Sequence, residues 1–154
     1  TGPAAWRTTS TGRSPMPPGR YFLDTSFAIA LAVPRDDLHE RAVALSHELE
    51  KTRARLVTTR AVILEIGNAL ARRRYRRAAV ELLAALESDP AVRIVPLSEK
   101  LYREGYELYT ARPDKDWGLT DCCSFALMRS LGLVEALTAD EHFRQAGFRA
   151  LLLE

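Results

Sequence analysis

Short apolar runs alternate with longer amphipathic stretches along most of this chain, so two periods can be read side by side. Tyr21-Phe22-Leu23, Leu56-Val57-Thr58-Thr59 and Val92-Arg93-Ile94-Val95 are brief and rich in aromatic or β-branched residues, and Glu135 to Thr138 and Phe148 to Leu153 share that character. All five read as strands. The segments between them carry the helical period. Thr25 to Val33 is a small helix ended by Pro34, and His39 to Lys51 follows with Leu38, Ala42, Leu45 and Leu49 on one face. Ala61 to Tyr75 reads as a largely buried helix, and Arg76 to Ser88 as a second one stopped by Asp89-Pro90. Ser98 caps a helix that runs to about Tyr109, turns Leu101, Gly105 and Leu108 inward, and ends before Arg112-Pro113. Thr120 is the expected cap of a helix from Asp121 to Leu131, and Glu141 to Ala146 forms a short helix closed by Gly147. Apolar strands separated by helices predict an α/β fold, a parallel sheet covered on both faces.

One domain is expected over residues 21–154. Residues 1–20 are rich in Gly, Pro, Ser and Thr and lack any hydrophobic period, so a flexible N-terminal extension is expected there, with Met16 a candidate natural start. Glu65, Arg129 and Asp140 interrupt the apolar stretches well short of the about 18 uncharged residues that a membrane span needs. Together with the lack of a secretory apolar segment, this predicts a cytoplasmic protein with no membrane association. The only cysteines are the neighbours Cys122 and Cys123, which cannot join distant segments, lack C-x-x-C spacing, and read as small buried hydrophobes.

Four acids stand where charge is costly: Asp24 after Tyr21-Phe22-Leu23, Glu65 inside Val62-Ile63-Leu64-Glu65-Ile66, Asp121 opening an apolar helix, and Asp140 ending Ala136-Leu137-Thr138-Ala139-Asp140. A desolvated carboxylate must protonate, find a cation or hold a metal ion. The topology places Asp24 and Asp140 at the carboxyl ends of strands, where open α/β sheets bind ligands, and Asp121 in the first turn of a helix. Glu65 lies mid-helix with Asn68 on the same face, an amide able to orient its carboxylate. Each acid alone has a plain reading as well. Asp24 fits a helix cap, Glu65 an ion pair with the nearby arginines, Asp121 a favourable first-turn charge, and Asp140 a turn.

Other chemistries fail on spacing. His39-Glu40 lacks the second His of a zinc-protease helix, and His39, His47 and His142 are scattered enough to read as solvated or satisfied side chains. No Gly-rich phosphate loop of either common spacing occurs. The net charge of +2 says little about partners, but nineteen of the 22 basic residues are arginine. That bias fits a GC-rich genome or phosphate recognition equally. Arg72-Arg73-Arg74-Tyr75-Arg76-Arg77 sets five guanidiniums around one ring, suited to an RNA backbone with an unpaired base, or alternatively to a solvated helix end near its C-terminal dipole.

Leu23-Asp24-Thr25-Ser26, Leu64-Glu65-Ile66-Gly67-Asn68-Ala69-Leu70, Trp117-Gly118-Leu119-Thr120-Asp121-Cys122-Cys123-Ser124-Phe125 and Ala136-Leu137-Thr138-Ala139-Asp140-Glu141-His142-Phe143-Arg144-Gln145-Ala146-Gly147-Phe148 resemble, in order, the successive motifs of the PIN-domain family. The last two blocks are similar to its VapC-like branch. The resemblance implies an α/β/α sandwich with a central parallel sheet and an endoribonuclease dependent on Mg²⁺ or Mn²⁺, serving as the toxin of a type II toxin–antitoxin system. Carried over by position, its catalytic and metal-holding acids are Asp24, Glu65, Asp121 and Asp140. Asp24 and Asp121 are the first ligands, Asp140 a direct or water-mediated one, and Glu65 a ligand or the base that orients water. Ser26, Asn68 and Thr138 support them, and Asp116 is a further acid nearby. The implied partners are an RNA substrate, a cognate antitoxin and a second copy in a homodimer. The alternative is a PIN-fold module that binds RNA or protein without cleaving.

Overall fold

Five strands form one sheet, parallel at every pairing, in the order β3-β2-β1-β4-β5. The computed structural model describes residues 19–154; Met16 and nearly all of the expected N-terminal extension lie outside the described residues. The elements are β1 (Arg20–Leu23), α1 (Thr25–Ala32), α2 (His39–Lys51), β2 (Arg55–Thr59), α3 (Arg60–Ala69), α4 (Arg73–Ser88), β3 (Val92–Val95), α5 (Glu99–Ala111), α6 (Leu119–Leu131), β4 (Glu135–Leu137), α7 (Glu141–Gln145) and β5 (Arg149–Ala150), ending in a 3-10 turn at Leu151–Leu153.

β1 is the central strand because it is apolar on both faces: Tyr21, Phe22 and Leu23 are all buried. Phe22 sits beside Val57 of β2 on one side and Ala136 of β4 on the other. The chain steps outward from β1 through β2 to β3, then crosses back to lay β4 on the opposite side of β1. The right-handed crossover rule for parallel strands assigns α1 to α4 to one face and α5 and α6 to the other, and α1 packs with α2, α3 and α4 while α5 packs with α6, in keeping with the predicted α/β/α layering. The reversal opens a crevice at the carboxyl ends of β1 and β4.

Local boundaries depart from the sequence expectation in three places. The helix expected from Ala61 to Tyr75 stops at Ala69; buried Leu70 and extended Arg72 make a break, and α4 starts at Arg73. The arginine run therefore opens a helix rather than closing one, which removes the C-terminal dipole as its explanation. The cap of α6 is Gly118 rather than Thr120, because the Asp121 carboxylate accepts the Gly118 N–H at 3.1 Å. The last strand is only two residues long. Leu151 and Leu152 turn inward instead of continuing along the sheet edge, and the Leu152 N–H reaches back to the Thr138 carbonyl at 3.1 Å.

Behind the sheet α5 and α6 approach closely at Gly105. A Cβ built there would lie 2.4 Å from Cys123 Sγ and 2.9 Å from its backbone nitrogen, so only glycine fits. Cys122 and Cys123 are buried free thiols, as expected, and burial pushes the Cys122 thiol up to about 11. Among the described residues no helix is long and apolar enough to cross a membrane.

Candidate metal and catalytic centre

Asp24 forms the floor of the crevice. It follows β1 directly, is 5% exposed, and precedes the first residue of α1, yet its side chain does not cap that helix. The carboxylate is held instead from the residue after β4 and from α1: the Thr138 hydroxyl donates to Asp24 Oδ2 at 2.7 Å, and the Ser26 hydroxyl donates to the same oxygen at 3.2 Å. Ser26 accepts the Ala139 N–H at 2.9 Å, and Thr138 accepts the Asp140 N–H at 3.0 Å. Two hydroxyls thus pin the acid and shape the turn that delivers the next one. Burial raises the Asp24 carboxyl to about 6, the Thr138 hydrogen bond opposing it and the nearby Asp121 and Glu65 adding to it.

Asp121 and Asp140 come from different elements and meet above that floor. Asp121 stands in the first turn of α6; burial is the main cause that raises its carboxyl, and Asp140 raises it further. Asp140 caps α7, accepting the His142 N–H on Oδ1 at 2.9 Å. Between the two acids lies a histidine expected from its sequence context to be merely solvated or satisfied. His142 Nδ1 is 3.3 Å from Asp121 Oδ2 and 3.3 Å from Asp140 Oδ1, and the ligand atoms of all three residues lie within 4.8 Å of one another. Asp140 is two residues before His142 but Asp121 is 21 away, so spacing alone does not bring the three together.

An aromatic chain holds α6 and α7 in place. Trp117 packs edge-on to Phe125 at 5.1 Å, Phe125 edge-on to Phe143 at 4.9 Å, and Phe143 lies 6.0 Å from Phe22 of β1. Trp117 Nε1 also donates to Gln145 at 3.0 Å, so the segment before α6 is tied to the end of α7.

Glu65 enters from α3, half-buried. Its Oε2 accepts the Thr25 hydroxyl at 2.6 Å, and Thr25 rather than the exposed Asn68 is the group that orients it. Asp116 is exposed in the segment before α6, lining a groove with Tyr109, Arg112, Lys115 and Trp117. Arg72, Arg73, Arg74, Arg76 and Arg77 are all exposed, with the Arg74 guanidinium 4.6 Å over the Tyr75 ring and Arg77 paired to Glu81 at 3.1 Å.

This donor set fits a hard divalent cation. Asp121 takes the Gly118 N–H on Oδ2 and Asp140 takes the His142 N–H on Oδ1, and because each carboxylate oxygen has two lone pairs, either oxygen of each acid can still ligate. Exposure rises from Asp24 at the floor to 16% for the Asp121 side chain and 34% for that of Asp140, so the centre opens toward solvent and leaves room for water and substrate.

In sequence and fold the chain is similar to known proteins. The PIN-domain model matches residues 21–149. The 23S rRNA-specific endonuclease VapC20 of Mycobacterium tuberculosis is 32% identical over 127 residues, covering 82% of this chain and 94% of that protein. The crystal structure of the same organism's VapC20, a sarcin–ricin loop cleaving toxin, superposes with a TM-score of 0.74 at 30% identity, covering 83% of this chain and 95% of that one.

Proposed function

The chain belongs to the PIN-domain family, and from that premise we propose that it is a metal-dependent endoribonuclease that hydrolyses RNA phosphodiester bonds as the toxin of a type II toxin–antitoxin pair. The observation that carries this reading is the pairing of Asp121 with Asp140 above buried Asp24 at the carboxyl ends of β1 and β4, with Glu65 near enough to Asp24 to raise its carboxyl. In this reading Asp24, Asp121 and Asp140 hold Mg²⁺ or Mn²⁺, and Glu65 ligates the ion or orients water. When bound, such an ion neutralises the scissile phosphate and makes a water acidic enough to attack phosphorus. The protein's own part is positioning. Thr138 and Ser26 aim Asp24, Thr25 holds one oxygen of Glu65, and the other oxygen is available to accept the attacking water's proton.

The arginine run supports RNA as the substrate. Arg73 and Arg74 stand in the first turn of α4, where cations oppose the helix dipole, so helix stability does not account for them and a phosphate backbone does. Partners of the toxin role are a cognate antitoxin and a second copy of the chain. Exposed Leu64, Val80, Tyr102, Tyr106 and Tyr109 supply apolar surface for such contacts, and an antitoxin Arg or Lys would satisfy the carboxylates in place of an ion.

The deciding experiment is cleavage of total RNA, of 23S rRNA and of a sarcin–ricin loop oligonucleotide in Mg²⁺, Mn²⁺ or EDTA. Cleavage with either ion and none in EDTA is expected. Intact RNA under every condition, from protein that binds Mn²⁺, would turn the reading toward a binding module.

A further inference from the structure

Asp121, Asp140 and His142 are drawn together from two helices, and the nitrogen in the group has no place in an all-carboxylate centre. In an octahedral site with bonds of about 2.1 Å, neighbouring donors stand about 3.0 Å apart. His142 Nδ1 is 3.3 Å from an oxygen of each acid, close to that spacing, and its backbone N–H donates to Asp140 Oδ1 at 2.9 Å, with neighbouring Phe143 fully buried. The backbone that carries the imidazole is therefore held beside both acids. A side chain serving only as a surface ion-pair partner needs no such anchoring, and His142 is less exposed, at 29%, than the Asp140 it touches, at 34%.

We propose that His142 is a nitrogen ligand of the divalent ion held by Asp121 and Asp140, and that it tilts the centre from Mg²⁺ toward Mn²⁺ and the later first-row ions. The inference rests on the metal-dependent reading above and deepens it. Magnesium prefers oxygen donors and holds its waters, whereas an imidazole nitrogen strengthens binding along the series from Mn²⁺ to Co²⁺. Removing the ring therefore takes more from Co²⁺ and Mn²⁺ than from Mg²⁺. A change that merely loosened α7 would weaken all three alike.

The test uses the full chain, with His142→Gln and His142→Ala checked for native circular dichroism. Calorimetric titration with Mg²⁺, Mn²⁺ and Co²⁺ should show Co²⁺ affinity falling by about tenfold or more in both variants while Mg²⁺ affinity shifts by no more than about threefold. Electron spin-echo spectra of the Mn²⁺-loaded wild type should carry ¹⁴N modulation that is lost in His142→Gln, leaving His39 and His47 as internal controls. An equal loss for every ion, or nitrogen modulation absent from the wild type, overturns the assignment of His142 and leaves the nuclease reading standing. Wild-type protein that binds none of the three ions overturns the metal reading itself. If His142→Ala fails to fold, the spin-echo result on His142→Gln decides.

Discussion

The Thr138 hydroxyl donates to Asp24 Oδ2 at 2.7 Å across 114 residues of sequence, joining the carboxyl end of β4 to that of β1. Replacing Thr138 by Val keeps the shape and removes the donor. The hydrogen bond lowers the Asp24 pKa, so without it the acid is harder to ionise and a poorer ligand. Thr138→Val should weaken Mn²⁺ binding by about 10–100-fold, the usual cost of losing a partner behind a ligand, and Thr138→Ser should recover most of it. Calorimetric titration of both variants checks this, and equal affinities for Val and Ser would rule out a role for the hydroxyl.

Asp24→Asn and Asp121→Asn retain volume and most hydrogen bonding while removing charge. Each should lower RNA cleavage by at least about a hundredfold, beyond the loss from an outer partner, with unchanged circular dichroism. Single-turnover cleavage under saturating Mn²⁺ gives the number.

Metal-free stability should fall with rising pH between about 4 and 6. Asp24 has a folded pKa near 6 against an ordinary 3.8, so the folded state keeps its proton where the unfolded chain has lost it. Below the lower value both states are protonated and no penalty exists; above the upper value the full penalty applies, on the order of 2–3 kcal/mol. Asp121, also raised, acts in the same direction. Denaturant titration in EDTA should find Asp24→Asn more stable than wild type at pH 7.5 and little different at pH 4. Mn²⁺ should close the gap at pH 7.5, since an ion that binds only the folded state stabilises it. A wild type more stable than the variant at pH 7.5 in EDTA contradicts the sign.

Gly105→Ala tests the seam behind the sheet. Its methyl would overlap Cys123 Sγ and crowd that residue's backbone, so α5 and α6 must separate. The expected loss is about 1–3 kcal/mol, seen as a lower melting temperature. Pairing it with Cys123→Ala should return part of the loss, because the backbone crowding remains.

Substituting Arg73, Arg74 and Arg77 together by Ala should flatten the log–log salt dependence of RNA binding by about 0.7 for each phosphate that the protein no longer neutralises. Folding stability should hold or rise slightly, since two of the three charges oppose the dipole of α4. An unchanged slope with unchanged affinity would assign the run to solvation.

The alternation of strands and helices was legible because each period is local, and so was the parallel sheet, whose central strand β1 is apolar on both faces. Asp24, Asp121 and Asp140 were legible for a related reason: charge beside an obligatory apolar run is conspicuous wherever it falls. The rest depended on contacts that sequence spacing does not encode. Asn68 shares a face with Glu65, but Thr25 arrives from α1 to take the hydrogen bond. His142 gains its meaning from α6 packing against α7 through Phe125 and Phe143. The break after Ala69 has no Gly or Pro to announce it, because Asn68 to Arg72 is compatible with helix and only the burial of Leu70 redirects the chain.

Because the strand in the middle of the sheet comes first in the described chain and its partner β4 comes near the end, the centre has a birth order. A nascent chain can pair β1 with β2 and β2 with β3 as it is made, yet it has only Asp24 and Glu65 to show for it until Asp121, Asp140 and His142 have left the ribosome. Half of the candidate carboxylates are therefore missing until α6 and β4 have been made.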